Sequence, residues 1–533
     1  MVQLAGYLNV LLHALALVGL AASMGGVVFV LGVLRPAVGA TATSYELRVL
    51  RVAQWAALLA VGAFAGVLLL GPWALAGDDG SWPFRAYLDT SFAHASLLRL
   101  ALLIGFAGLL AWLRGRPASA SRWRLTLAWM IATVVSGAWA VHAVSRLEHV
   151  VPLMVTTILH QLAAVVWLGG VIGLLLCAEA RRAADPTLWP RLLARFSPIG
   201  LACVLTLVGA GLYIAAHYVG DWASVIGTNY GIMVIAKWLL LAMALSLAVL
   251  NFVHTRHWRR HGDARGALTR VPVYVEAEMC ALLAIVLLGA SLAATPPAAD
   301  LASERASFAE VVDTLAAKMP QLRPPDYAAL MADYSSPLDF FNPSTATERI
   351  QSNFNHNMSG AFVLLIGVLA ILHRLRLAHW ARHWPLVFLP FALFLLVIAQ
   401  PTGWPLGPEG FFEQMRSPSV VQHRLATLLP LVIGVMEWRV QVGTLAATRW
   451  RYTFPVLCFL GGAVMLTHTH TALGTKQEFL IEVSHAGIAV FAILAGIGRW
   501  LELRLPPPPP RITGVLWTGS LVMIGLLLLF YRE

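Results

Sequence analysis

Apolar stretches of about 20 residues, rich in Leu, Ala and Val, recur along the chain with short polar breaks between them. In a helix, about 20 residues rise roughly 30 Å, the thickness of a bilayer's hydrocarbon core. The stretches do not alternate apolar and polar positions as barrel strands do. Lipid offers no water to satisfy backbone amides, so each stretch is predicted to be a helix. The pattern predicts an all-α, polytopic transmembrane helical bundle. About fourteen spans are expected, near 7–34, 52–75, 94–113, 125–145, 153–177, 196–218, 230–253, 272–294, 356–373, 384–399, 421–438, 452–472, 479–498 and 512–531. A composition of 59% hydrophobic and 12% charged residues agrees with this reading.

Charge then orients the spans, because short cytoplasmic loops retain Lys and Arg. Arg35, Arg48 and Arg51 follow the first span, Arg114, Arg116, Arg122 and Arg124 the third, and Arg181, Arg182, Arg191 and Arg195 the fifth. Further groups, from Arg256 to Arg270, Arg374 to Arg382, Arg439 to Arg451 and Arg499 to Arg511, continue the alternation. The intervening loops are acidic or nearly neutral; segment 296–355 has eight acids against four bases. Both termini are therefore expected on the periplasmic side. The first basic residue is Arg35, so the first span is expected to be permanent rather than a cleaved signal. The net charge of +11 sits in short inner loops, which favours contact with the lipid bilayer and excludes a nucleic-acid partner.

Three regions follow: an eight-span membrane domain over 1–295, a periplasmic connecting segment over 296–355, and a second six-span domain over 356–533. The connecting segment is long enough to be a lid or a small extramembrane element. Phe308, Val311, Val312 and Leu315 have helical spacing within it and predict short amphipathic helices. No phosphate loop, dinucleotide glycine fingerprint or nucleophile elbow occurs, so the chain is not expected to be an enzyme or to hydrolyse ATP.

Eleven of the seventeen histidines fall toward the outward end of their spans: His13, His94, His142, His149, His160, His217, His356, His423, His468, His470 and His485. The other six, His254, His257, His261, His373, His379 and His383, lie among arginines and read as interfacial. Imidazole ligates Cu, Zn, Ni and haem iron, and a histidine in an apolar span needs a partner. A lone one is more often a satisfied core residue than a ligand, but eleven at one depth shift that balance toward metal. All of these except His13 are candidate ligands. His13, Arg99, Tyr213, Lys237, Arg424, Glu482 and Met358 are candidates for supporting roles. His142 and His149, seven apart, share a helix face. His468 and His470 chelate together only if the helix unwinds there. Glu482 and His485 share a face, either on one metal or as a hydrogen-bonded pair. Met154 and Met358 near histidines suit Cu(I), yet Met is also core filler. Cys177, Cys203, Cys280 and Cys458 lack a CxxC spacing and read as small buried hydrophobes or as a soft-ligand exit. Arg99 and Arg424 are placed to bind carboxylates such as haem propionates.

The stretch Leu159–Gly170, LHQLAAVVWLGG, resembles the HxLaaxxWlGG signature of the bacterial copper resistance D (CopD) family of inner-membrane proteins. The run from Gly211-Leu212-Tyr213 through Thr228-Asn229-Tyr230-Gly231 to Lys237 and Asn251 is similar to the pattern that follows it in that family. Gln422-His423-Arg424 and Thr467-His468-Thr469-His470 resemble the C-terminal half of longer members. The resemblance implies copper handling at the bacterial inner membrane, with uptake from the periplasm as the usual proposal. It also implies a separate periplasmic copper chaperone, since no Met-rich or His-rich soluble domain is present. The expected protein is a copper permease passing the ion through several weak sites. His142, His149 and His160 rank first, then His423, His468, His470 and His485. The rival is an electron-transfer protein binding b-type haem through His356, His423, His468 and His485.

Overall fold

The computed structural model describes residues 2–39, 44–74, 83–137, 146, 148–182, 185, 187–333, 345–415, 418–467 and 476–533. Among these the regular elements are all helical. The N-terminal half contains α1 (Val2–Phe29, prolonged by a π turn, Val30–Leu34), α2 (Ser44–Ala74), α3 (Ser91–Gly115), α4 (Ala120–Ser136), α5 (Val150–Leu176), α6 (Leu188–Val219), α7 (Asn229–His261) and α8 (Val271–Ala294). Two short helices follow, α9 (Phe308–Leu315) and α10 (Tyr327–Asp333). The remainder holds α11 (Ala346–Arg374), α12 (Phe388–Val397), α13 (Pro418–Gln441), α14 (Thr453–Met465), α15 (Lys476–Arg504) and α16 (Arg511–Leu529).

Twelve helices among the described residues are long and apolar enough to cross a bilayer. The chain is an all-α, polytopic membrane protein. The expected spans absent from the twelve, 125–145 and 452–472, correspond to α4 and α14, each followed by residues outside those described. Leu69, Leu98, Ile131, Leu201, Leu205 and Val249 are exposed on these helices. In water such a surface would aggregate; in lipid it is the solvated face.

Helices in lipid gain nothing from hiding apolar surface, so they associate through close packing and polar contacts. α1 and α5 show this directly. A Cβ on Gly25 would lie 2.3 Å from the Val165 carbonyl oxygen, and one on Gly169 would lie 2.3 Å from that of Ala21. A Cβ on Gly170 would strike the Phe196 ring of α6 at 2.0 Å. The two glycines that close LHQLAAVVWLGG thus let α5 touch α1 and α6.

At the arginine end of the bundle several charges are paired. Arg35 bonds Glu46 at 2.8 Å, and Arg499 bonds Glu437 at 2.9 Å and Glu502 at 2.8 Å. Arg374 joins the same Glu502, whose other oxygen accepts from the Trp517 indole at 2.7 Å. Arg504 pairs with Glu276, which also accepts from Trp500, tying α15 to α8. Ala489, Ile493 and Ile497 of α15 pack into the same core as Leu240 of α7 and Ala281 of α8, so the two halves share apolar packing.

Gly169→Val should force α1 and α5 apart and cost about 1–3 kcal/mol, the usual range for overpacking. Nothing lies within 4 Å of a Cβ on Gly62, so Gly62→Ala should leave stability nearly unchanged. Thermal melting of both variants in detergent checks this, and equal midpoints would contradict the close contact.

Candidate metal sites at the histidine end

His149 precedes the first turn of α5 in the left-handed region, at φ 56°. Few side chains other than Gly, Asn, Asp and His adopt that conformation readily. Its ring meets that of His217, near the end of α6, with centroids 5.0 Å apart and planes at 71°. His217 Nδ1 lies 2.9 Å from the Tyr213 carbonyl. A carbonyl only accepts, so Nδ1 carries the proton and Nε2 of the neutral ring carries the lone pair. Tyr213 packs on His217 at 4.4 Å.

The C-terminal half repeats the arrangement. His356 of α11 and His485 of α15 have ring centroids 5.4 Å apart at 88°. Each Nδ1 donates to a carbonyl one turn back, Ser352 at 2.8 Å and Ile481 at 2.9 Å. Such second bonds fix the tautomer and ring orientation of histidine ligands. With nitrogens about 2.0–2.1 Å from a shared ion, two imidazole centroids sit roughly 5–6 Å apart. Both pairs have that spacing. Tyr531 stacks on His356 at 3.9 Å and lies 5.6 Å from His485. Buried Asn357 holds Tyr531 in place by donating to its carbonyl at 3.0 Å. His423 of α13, itself exposed, comes within electrostatic reach of His485, and Glu482 is buried one turn before it.

The expected single layer of histidines divides. His160 follows His149 by eleven residues in α5, which is about 16 Å along the helix, so the two cannot share an ion. His160 lies against Gly211 of α6, within reach of the Lys237 charge, and its buried Nδ1 lacks a hydrogen-bond partner. His13 faces Phe64 at 6.2 Å, and the Arg99 guanidinium lies over the same ring at 5.2 Å. His94 is exposed. Met358 packs against the second apolar core. His142, His468 and His470 lie outside the described residues. Among the described residues no group of three or more His, Cys, Asp or Glu is placed to hold a metal ion, and the four cysteines are free thiols.

The described residues do not support a haem. Arg424 donates to the Leu396 carbonyl at 2.9 Å, to the Trp404 carbonyl, and to Gln414 at 3.3 Å, so it ties backbone together instead of offering itself to a propionate. Tyr531 fills the space beside the His356 and His485 rings. The adjacent cavity, lined in part by Ser484, Tyr531 and Arg532, measures about 100 Å³, against roughly 300–1,000 Å³ for organic-ligand pockets.

One polar cluster escaped the sequence reading. Glu278 of α8 is 3% exposed, and its two oxygens accept from the Trp167 indole at 2.9 Å and the Asn251 amide at 2.7 Å. The signal was present: an acid inside an apolar span, whose two partners both fall on the family pattern.

The connecting segment covers the histidine end and bridges the halves. Arg146 pairs with Asp300 and Arg305 with Asp221, each at 2.7 Å, while Lys476 of α15 pairs with Glu310 of α9 at 2.8 Å. The Gln321 amide donates to Asn357 at 2.7 Å. Of the expected amphipathic stripe only Val311 is buried, near Phe479 and Val483; Phe308, Val312 and Leu315 are exposed. The Lys476 ammonium, aided by the Ser307 amide and hydroxyl, holds the Glu310 carboxyl down at about 2.

Residues 190–292, which run from α6 through α8, match the family model of copper resistance protein D. Through this segment, about a fifth of the chain, the protein is similar to the copper resistance D family. The CopD segment contributes Tyr213, His217, Lys237, Asn251 and Glu278. Over 198 residues the chain is 27% identical to the copper transport protein CutJ of Bacillus subtilis (strain 168). That match covers 37% of this chain and 36% of the relative, so the chain spans about a third of the length of the protein it matches. No solved structure matches the chain.

Because the Glu310 pKa is depressed, its ion pair contributes fully above the ordinary value of 4.5 and is lost as pH falls toward about 2. Hydrogen exchange in α9, corrected for intrinsic rates, should therefore accelerate across that window. Glu310→Gln should show the fast exchange at every pH, and a persistent acid transition in that variant would assign the effect elsewhere.

Proposed function

We propose that this protein moves copper ions across the bacterial inner membrane, taking them up at a periplasmic histidine end and passing them toward the arginine end. Reading the arginine end as cytoplasmic rests on the retention of positive charge in inner loops. The observation that carries the proposal is the His356 and His485 pair: two imidazoles from different helices at ion-sharing distance, each with Nδ1 tied to a carbonyl. It lies in a chain whose residues 190–292 match the copper resistance protein D model. Two-nitrogen sites bind weakly, which suits carriage, since a tight site would trap the ion. His149 and His217 form the matching pair on the CopD side, with His160 the next imidazole inward. His423 and Glu482 support the second pair. Copper arrives from a periplasmic chaperone, and no ATP hydrolysis by this chain is required.

Cu(I) titration against a chromogenic competitor tests the pairs. The double variant His356→Ala/His485→Ala should lower affinity at one site by about tenfold or more, the scale of disturbing even the groups that orient ligands. His149→Ala/His217→Ala should do the same at another. Unaltered stoichiometry and affinity in both folded variants would remove the proposed sites.

A further inference from the structure

Glu278 differs from four other glutamates of the bundle. Glu46, Glu276, Glu437 and Glu502 take arginine partners, respectively Arg35, Arg504, Arg499 and Arg374. Among the described residues Glu278 takes no cation; both its hydrogen bonds come from neutral donors. Burial of a full charge without an opposite one is costly, and two neutral bonds offset only part of that cost. A proton removes the charge, and the surroundings are built to accept one. Asn251 donates its amide to Glu278 at 2.7 Å while its own Oδ1 is buried without a partner. A half-turn of that amide group presents Oδ1 to a carboxylic O–H and satisfies both. Asn251 can therefore bond Glu278 in either state, donating Nδ2 to the carboxylate or accepting at Oδ1 from the carboxylic acid.

The neighbouring helices leave this choice to Glu278. α5 presents Trp167, with His160 two turns away, about 10 Å along the same face. α7 presents Asn251; His254 lies one turn toward the arginine end, stacked on Tyr274, and Lys237 lies four turns the other way. On α8 itself, Glu276 is taken by Arg504 of α15, and Cys280 is a free thiol. Beyond Arg504, α15 carries Arg499, which Glu437 and Glu502 hold. α14 offers Cys458, the short helix Arg265–Thr269 offers Arg265, and α1 has no Asp, Glu, Lys or Arg between Val2 and Phe29. Glu278 sits seven residues into α8 from its arginine end, roughly 10 Å. It thus lies further along the face of α5 that starts at the His149 pair and passes His160.

We propose that Glu278 is a proton-exchange site coupled to the passage of copper, an inference that rests on the copper reading above. When a Cu(I) cation enters the path, the Glu278 O–H bond breaks, the proton leaves toward the arginine end, and the remaining carboxylate balances the cation's charge. When the cation departs, the carboxylate takes up a proton again. No electron moves.

The full chain in proteoliposomes, given Cu(I) outside and a pH dye inside, tests this with Glu278→Gln and Glu278→Asp. Glutamine keeps both bonds, accepting from Trp167 and donating to the orphan Asn251 Oδ1, so folding is expected to survive. Wild type should couple copper flux to proton movement. Glu278→Gln should abolish the proton signal and flatten the pH profile of flux, and Glu278→Asp should restore part of both. A Glu278→Gln variant with wild-type proton signal and pH profile overturns the proposal. If wild type moves no copper, the copper reading fails separately, and infrared difference spectroscopy decides the remainder. A titrating carboxylic C=O band lost in Glu278→Gln supports proton exchange at Glu278, whereas a band unaltered by the substitution overturns it.

Discussion

An ionised group inside lipid must find an opposite charge or other polar partners such as backbone carbonyls, and this requirement organises the arginine end of the bundle. Arg374 of α11, Arg499 of α15, Glu437 of α13 and Glu502 of α15 form one connected set, closed by the Trp517 indole from α16. Glu437 has a side-chain exposure of only 1%. Removing one member of such a pair leaves the other uncompensated, which typically costs about 3–5 kcal/mol. Four helices of the C-terminal half are therefore locked at the arginine end, and the Glu276–Arg504 pair extends the lock to α8. The opposite end follows a different rule. Neutral imidazoles need only a carbonyl for Nδ1, and the ion pairs that hold the connecting segment over them are solvent-exposed and screened.

α5 joins these two regimes. Its glycine side meets the backbone of α1 and the Phe196 ring of α6 at contact distance, which fixes the rotation of the helix. With that rotation fixed, His149 reaches His217, His160 sits against Gly211, and Trp167 reaches Glu278. The spacing of seven between His160 and Trp167 puts an imidazole and the clamp on a buried acid along one line. The family segment, α6 to α8, supplies the facing partners on that line. A signature that identifies a family by pattern thus has a mechanical content: small residues for approach on one side, polar residues in register on the other.

Helix content was legible because lipid imposes one rule on every backbone amide, and apolar runs of span length have few other uses. The alternation of arginine-rich loops was legible for a similar reason, and Arg35, Arg374, Arg499 and Arg504 from those loops and span ends do form ion pairs. Depth was harder. Hydropathy marks where a span begins only to within a turn or more, so His149 and His160 look like neighbours at one mouth although a helix separates them by about 16 Å. Pairing across helices was not legible, since nothing in spacing alone joins His149 to His217 or His356 to His485. The stripe Phe308, Val311, Val312 and Leu315 was correctly periodic, yet three of the four stay exposed because the helix lies on the rim of the bundle, where one apolar contact suffices. Glu278 was not legible because its meaning comes from what it lacks, the arginine that Glu46, Glu276, Glu437 and Glu502 each have.

X-ray absorption of the full-length protein loaded with Cu(I) tests most directly whether the paired imidazoles hold the ion. The expected result is a first shell dominated by nitrogen, with the outer-shell pattern of imidazole rings, diminished stepwise when the His356–His485 and then the His149–His217 pairs are removed. A shell dominated by sulfur from the four cysteines or the methionines, unaltered by loss of both pairs, would contradict the assignment of copper to the histidine end.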